Sequence, residues 1–199
     1  MKLMMNMLII LYLLITGSGI YAGNDQSVER QKDPTEIVKR ALVQKIYTGE
    51  LGVRERSGQN DGQSVEEYLK AVGLKKGEPW CAAFVCWVFD RAGIDNPHSG
   101  WAASLFHAGK VIRTRDREIK FGGNGNRKNQ LPRTGDVFGI WFPEKKRIAH
   151  VGFVDSYTGS WLITVEGNTN MAGNREGDGV YRKRRLVHSI YRVADWIGK

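Results

Sequence analysis

The chain contains two cysteines, five residues apart in the segment GEPWCAAFVCWVFDR at residues 77–91. Cys81 follows Pro-Trp and opens an apolar run that predicts a helix, so it would lie in the first helical turn. Free backbone N–H groups and the helix dipole stabilise an anion there, which lowers the pKa of a thiol. The same N–H groups can hold an oxyanion. Cys81 is therefore a candidate nucleophile, although a free cysteine is also commonly a core residue.

Cys86 lies in the middle of the same predicted helix, between Val85 and Trp87. Successive helical side chains turn by about 100°, so positions five apart point to different faces. Their Cβ atoms would not approach the ~3.8 Å that a disulfide requires. The geometry therefore disfavours a disulfide, and we expect Cys86 to be a small core residue.

A thiol nucleophile needs a base and a group that orients the base. Of the four histidines, His150 stands in RIAHVGFVDSY, which predicts an apolar strand able to hold an imidazole rigidly. The next predicted strand ends in TVEGNTN, where Glu166 and Asn168 are two residues apart and share a face. A hairpin turn at Thr158-Gly159 would bring both side chains close to the imidazole. Either one could orient it, and the residues alone do not decide which.

Three further residues are candidates for substrate binding. Trp80 directly precedes Cys81 and could line a cleft, or could equally be a packing residue. Asn60 and Gln63, in the loop before another predicted helix, could donate hydrogen bonds to the site, although turn formation explains them as well. We find no group of Cys and His residues with metal-ligand spacing, so we expect no metal and no other cofactor.

The predicted elements place helices first and strands afterwards. Apolar spacing predicts helices that begin at Thr35 and Ser64 as N-caps and at Cys81. From Asp136 onward, segments rich in Val, Ile, Phe, Trp and Tyr predict antiparallel strands. The basic run at residues 181–188 predicts a solvated edge strand, where charges discourage edge-to-edge pairing. This order predicts an α+β fold with N-terminal helices packed on a C-terminal antiparallel sheet.

The N-terminal residues have the layout of a secretory signal peptide. A single Lys precedes an apolar run at residues 3–15, and small residues and Ala22 follow. We expect residues 1–22 to be a signal peptide that directs the protein to the periplasm, cell envelope or exterior. An uncleaved membrane anchor is the alternative. A flexible lead-in at residues 23–34 and one domain at residues 35–199 complete the predicted organisation.

The charge balance is basic, with 30 Lys and Arg against 21 Asp and Glu and a net charge of +9. A basic exported protein meets anionic polymers such as cell-wall glycopolymers, lipopolysaccharide and membrane surfaces. Nucleic acid is the other usual partner of such charge, but the sequence contains no nucleic-acid-binding motif, so we expect none. The sequence does not predict the oligomeric state.

Four segments, in order, resemble the CHAP domain, the cysteine, histidine-dependent amidohydrolases and peptidases related to NlpC-type peptidoglycan peptidases on a papain-like fold. They are GEPWCAAFV, LPRTGDVFGIWF, IAHVGFVDSY and ITVEGNTN. The resemblance spans about residues 36–196. It implies that Cys81 is the nucleophile, His150 the base, Glu166 the third member and Asn168 a supporting polar group.

The resemblance also implies a substrate class. It points to hydrolysis of an amide bond in peptidoglycan or its fragments, by an N-acetylmuramoyl-L-alanine amidase or by a stem-peptide or cross-bridge endopeptidase. Two other functions stay open. One is a non-catalytic exported module that binds cell-wall polymer through its basic face. The other is an acyl transferase that passes the acyl group from the same thiol to an amine.

Overall fold

A computed structural model of the chain describes residues 33–115, 130–172 and 177–198. The predicted signal peptide and the lead-in up to residue 32 lie outside the described residues. Within those three ranges, no helix is long and apolar enough to cross a membrane.

The helices precede the sheet along the chain, as predicted. The described residues form three α-helices, α1 (Pro34–Gly49), α2 (Gln63–Ala71) and α3 (Cys81–Arg91), and short 3₁₀ helices at Ala102–Phe106, Pro143–Lys145 and Val187–Ser189. They also form six strands, β1 (Val111–Thr114), β2 (Val137–Phe142), β3 (Arg147–Tyr157), β4 (Trp161–Thr169), β5 (Gly179–Leu186) and β6 (Arg192–Ala194). The strands make one antiparallel sheet in the order β1-β6-β2-β3-β4-β5. The predicted α+β class is confirmed.

Two helices begin at other caps than those predicted. The N-cap of α1 is Asp33, whose carboxylate accepts the Thr35 N–H at 2.9 Å. Helix α2 begins before Ser64, with Gly62 as its N-cap at a left-handed φ of 107°. Glu66 then accepts the Gly62 N–H at 3.2 Å, which gives α2 a carboxylate near its positive end.

Helix α3 is the central element of the core, and eight of its eleven residues are buried. Phe84 and Phe89 pack edge-on against the Phe153 ring of β3, with centroid distances of 6.1 and 5.3 Å. Tyr47 of α1 stacks on the same ring at 4.9 Å. Because aromatic rings pack in few orientations, this cluster fixes the position of α3 against the centre of the sheet.

The predicted hairpin joins β3 to β4. The Thr158 N–H donates to the Trp161 carbonyl at 2.9 Å, and Gly159 adopts a left-handed φ of 72° in the turn. Strand β5 is at one edge of the sheet, as predicted. Strand β1, at the other edge, was not predicted, because its four residues are too few to establish an alternating pattern.

A buried ionic cluster ties α1 to β2 and to the end of β6. The Arg40 guanidinium donates to Asp136 and Asp195 at 2.8 Å each and to Glu36 at 2.7 Å. Burial raises the pKa of Asp136 to about 7, and the charge of Arg40 opposes that rise. Arg40 therefore bridges two buried carboxylates, and Arg133 also pairs with Asp195 at 2.7 Å.

Replacing Arg40 by Met should lower the free energy of unfolding by about 3–5 kcal/mol at neutral pH, because it leaves the buried Asp136 carboxylate without its cation, whereas Asp195 keeps its ion pair with Arg133. In the folded variant the pKa of Asp136, which burial already raises to about 7, rises further above its unfolded value. The folded variant then binds more protons than the unfolded chain, so its stability rises as the pH falls. Urea denaturation near pH 7.5 and pH 5 should show a smaller deficit at the lower pH. An equal deficit at both would contradict the burial of an unpaired Asp136 carboxylate.

Candidate active site

The N-terminus of α3 holds the Cys81 side chain, which is 7% exposed. Trp80 is the N-cap and gives the helix no side-chain hydrogen bond. The backbone N–H groups of Ala82 and of Val151 in β3 hydrogen-bond the sulfur. A thiolate here is therefore stabilised by two backbone donors and by the positive end of the helix dipole.

His150 of β3 lies directly beside Cys81. Its imidazole interacts with the thiol, and its Nε2 lies 2.8 Å from Oε2 of Glu166. Since Nε2 faces Glu166, Nδ1 is the nitrogen that faces the sulfur. The imidazole is largely shielded from water, with 13% of its side chain exposed.

The environment of the pair favours its charged form. Burial disfavours a thiolate, but the hydrogen bond and charge of His150, with the backbone donors, outweigh it and lower the pKa of Cys81. Burial likewise disfavours an imidazolium, but hydrogen bonds to Cys81 and Glu166 raise the pKa of His150 to about 9. Both shifts act in the same direction, toward a thiolate–imidazolium pair.

Of the two candidate orienting residues, Glu166 contacts the imidazole. Its carboxylate is fully buried and accepts hydrogen bonds from the Thr164 hydroxyl and from Nε and Nη2 of Arg185, each at 2.5 Å. Burial alone would raise its pKa, but the hydrogen bonds and charges of Arg185 and His150 lower the pKa of Glu166 to about 2. Glu166 is therefore ionised at neutral pH.

The register of the hairpin explains this contact. Strands β3 and β4 pair Val154 with Thr164, so Gly152 stands opposite Glu166. A Cβ atom at Gly152 would lie 3.0 Å from Cγ of Glu166. Because position 152 carries no side chain, the carboxylate can reach diagonally to His150, two residues away on the same face of β3.

Asn168 holds the backbone before Cys81 in place. Its described hydrogen bonds do not include one to His150. Its side-chain oxygen accepts the Trp80 N–H at 3.3 Å, and its amide nitrogen donates to Oδ1 of Asn60 at 2.9 Å. Asn168 adopts a left-handed φ of 52° at an irregularity in β4, which turns its side chain toward that loop. It acts on the position of the thiol rather than on the imidazole.

Trp80 does not line a cleft, because its side chain is fully buried. Of the two interpretations of Trp80, this burial favours packing. The indole N–H donates to Oε1 of Glu55 at 2.8 Å, and the Tyr68 ring packs 5.5 Å away. A Cβ atom at Gly167 would come within 2.6 Å of the indole, so this glycine lets β4 approach the start of α3.

Asn60 and Gln63 occupy different environments. The Asn60 amide donates to the Gly77 carbonyl at 3.2 Å and accepts from Asn168. The amide thus joins two loops, and its role as a donor to substrate stays a prediction. Gln63 is the exposed first residue of α2, and its role in substrate binding stays a prediction.

The sequence analysis did not identify two charged residues of the site, Glu55 and Arg185. Glu55 stands between two arginines before a turn-rich loop, a pattern typical of an exposed segment, yet its carboxylate is buried against Trp80. Arg185 belongs to the run that predicts a solvated edge strand, yet only 21% of its side chain is exposed. Alternation along a strand indicates that every second side chain shares a face, but it does not tell which face meets a buried carboxylate.

The described part of the chain contains no group of three or more His, Cys, Asp and Glu side chains that could hold a metal ion. Cys81 and Cys86 are both free thiols, and Cys86 is fully buried in the core as predicted. Cys81, His150 and Glu166 together provide a candidate nucleophile, a base and a buried carboxylate that contacts the base, which is the set that acyl-transfer chemistry requires.

Comparison with known proteins gives one match. Residues 73–168 match the family model of the CHAP domain. The matched range begins before α3 and ends at Asn168, so it contains Cys81, His150 and Glu166. CHAP domains are in general cysteine- and histidine-dependent amidohydrolases or peptidases. No curated protein and no solved structure matches the chain.

Iodoacetamide should modify Cys81 much faster than Cys86 at neutral pH, because the thiolate is the reacting species. The pKa of Cys81 is lowered, whereas burial raises the pKa of Cys86 to about 11. Peptide mapping by mass spectrometry after timed exposure measures both rates, and His150→Ala should move the onset of Cys81 reactivity to higher pH. Faster modification of Cys86, or a Cys81 rate that rises only near the free-thiol pKa of about 8.5, would contradict the assignment.

Proposed function

We propose, from the premise that the chain carries a CHAP domain at residues 73–168, that it is an exported enzyme that hydrolyses an amide bond of peptidoglycan. The observation that carries the proposal is the buried row formed by Cys81, His150 and Glu166. The general activity of the family supports an amidase or peptidase reaction on peptidoglycan. The apolar N-terminal segment and the net charge of +9 are consistent with export to an anionic envelope.

In the first half of the reaction the Cys81 thiolate adds to the amide carbonyl carbon. The oxyanion that forms is held by the Cys81 backbone N–H at the tip of α3. The C–N bond then breaks, and the imidazolium of His150 gives its Nδ1 proton to the leaving amine. The products are a free amine and a thioester on Cys81.

In the second half of the reaction water hydrolyses the thioester. His150, now neutral, takes a proton from the water as it attacks, and the C–S bond breaks to release the carboxylic acid. This restores the thiolate–imidazolium pair. Throughout both halves Glu166 accepts the Nε2–H of His150, which fixes the tautomer and stabilises the imidazolium.

Replacing Cys81 by Ser should abolish solubilisation of peptidoglycan by the purified protein, with a loss on the order of 10⁴-fold or more. A hydroxyl is not ionised by the same neighbours, so the charged pair no longer forms. The matched control is Cys86→Ser, which changes the other thiol and should retain most of the activity. Release of soluble fragments from purified sacculi measures both. An inactive Cys86→Ser protein beside an active Cys81→Ser protein would contradict the choice of nucleophile.

Mass spectrometry of the fragments released from a defined muropeptide identifies the bond that is cut. A new free amine on L-Ala identifies an amidase, and a new end within the peptide identifies an endopeptidase. A product in which an added amine carries the acyl group would identify an acyl transferase instead. Binding of peptidoglycan without any covalent change would contradict the enzymatic proposal and favour a binding module.

A further inference from the structure

We propose that Arg185, on the edge strand β5, is a positioning residue that holds Glu166 in place and neutralises its charge so that Glu166 orients the imidazole of His150. This inference rests on the proposed function only in that the Cys81 thiol is taken as the reacting group. Arg185 itself touches neither the thiol nor the imidazole in the described contacts, so it would act through Glu166.

Arg185 contacts both oxygen atoms of the Glu166 carboxylate. Nε of Arg185 donates to Oε1 and Nη2 donates to Oε2, both at 2.5 Å. The Thr164 hydroxyl also donates to Oε1, and His150 approaches Oε2. A fork of two parallel N–H groups matches a carboxylate in a way that a lysine ammonium cannot. The carboxylate plane is therefore fixed, and with it the direction of its bond to the imidazole.

The charge of Arg185 matters as much as its geometry. A fully buried carboxylate without a cation is costly, and burial drives it to take up a proton. A protonated Glu166 would no longer be a pure acceptor for the Nε2–H of His150. Because Arg185 neutralises the carboxylate, Glu166 stays ionised and orients the imidazole without adding a full negative charge beside the Cys81 thiolate.

The described contacts give Glu166 two other neighbouring cations, the His150 imidazolium and Lys183, but only Arg185 donates to both carboxylate oxygens. The titratable and charged groups that face His150 and Glu166 are Cys81 from α3 and Lys183 and Arg185 from β5. The Lys183 ammonium donates to the carbonyl of Asn170 at 2.6 Å. Burial, with the nearby charge of Arg185, lowers the pKa of Lys183 against the attraction of Glu166.

Loss of Arg185 should therefore be visible in the pH dependence of the thiol. Without Arg185 the Glu166 carboxylate is no longer fixed or neutralised, so it holds the imidazolium of His150 less well against the sulfur, and the Cys81 thiolate should form only at higher pH. In Arg185→Met the acid limb of the Cys81 alkylation profile should move up by about one pH unit. Peptidoglycan hydrolysis near pH 6 should then fall by about tenfold, since one unit is a factor of ten.

Two matched variants separate charge from geometry. Arg185→Lys keeps the positive charge but loses the fork, so its acid limb should stay close to that of the unmodified protein while turnover falls several-fold. Arg184→Met removes the same charge from the same strand, but its guanidinium stacks on the Trp161 ring at 3.8 Å and is not directed at Glu166. Arg184→Met should show the unmodified alkylation profile.

A double variant tests whether Arg185 acts through Glu166. In a Glu166→Gln background, adding Arg185→Met should cause a much smaller further shift than it causes alone. The double variant also buries no unpaired charge, so it provides a folded sample if Arg185→Met alone does not fold, as thermal unfolding would show. A folded Arg185→Met protein with an unmoved alkylation profile would overturn the inference, as would a full additional shift in the Glu166→Gln background.

The alkylation assay separates this inference from the proposed function, because iodoacetamide reports on Cys81 without peptidoglycan. A shifted profile in Arg185→Met, together with no cleavage of peptidoglycan by the unmodified protein, would support the role of Arg185 and overturn the proposed function. Cleavage of peptidoglycan by the unmodified protein, together with an unmoved alkylation profile in Arg185→Met, would support the proposed function and overturn the role of Arg185.

Discussion

The ion pair between the Cys81 thiolate and the His150 imidazolium is the interaction on which the rest of the structure depends. Both charges are largely buried, and each is disfavoured there unless hydrogen bonds and an opposite charge compensate it. The start of α3 and the Val151 N–H supply donors to the sulfur, and Glu166 supplies an acceptor to the imidazole. Groups of the protein, rather than water, thus stabilise the two charges of the pair.

Holding such a pair requires that α3 and β3 keep one relative position. The aromatic cluster around Phe153 fixes the body of the helix against the sheet. The buried indole of Trp80 and the Asn168 side chain fix its first turn, and Gly167 allows the close approach of β4. These contacts explain how a buried tryptophan and a glycine next to Glu166 keep the thiol and the imidazole in one relative position.

The parts of the site that follow from local chain chemistry could be predicted from the sequence. The start of α3 at Cys81 follows from apolar spacing, and the approach of His150 to β4 follows from a hairpin turn. The roles of Glu55 and Arg185 could not be predicted, because both depend on contacts between distant segments. The charged run that contains Arg185 and the charged turn that contains Glu55 are typical of solvated surface. Only the packed fold determines that Arg185 contacts the buried Glu166 and that Glu55 contacts the buried Trp80.

The protonation state of His150 at neutral pH tests the central claim most directly. In uniformly ¹⁵N-labelled protein, two-bond ¹H–¹⁵N correlation spectra distinguish a doubly protonated ring from either neutral tautomer, and His150→Gln identifies the signals. The account predicts that both ring nitrogens carry protons at pH 7 and that the Nδ1 proton is lost only near pH 9, the pKa to which hydrogen bonds to Cys81 and Glu166 raise the ring. In Cys81→Ala the imidazolium of His150 should lose its Nδ1 proton at a lower pH, because the thiolate that stabilises it is absent. A neutral ring at pH 7, with the ordinary pKa of about 6.5, would contradict the charged pair.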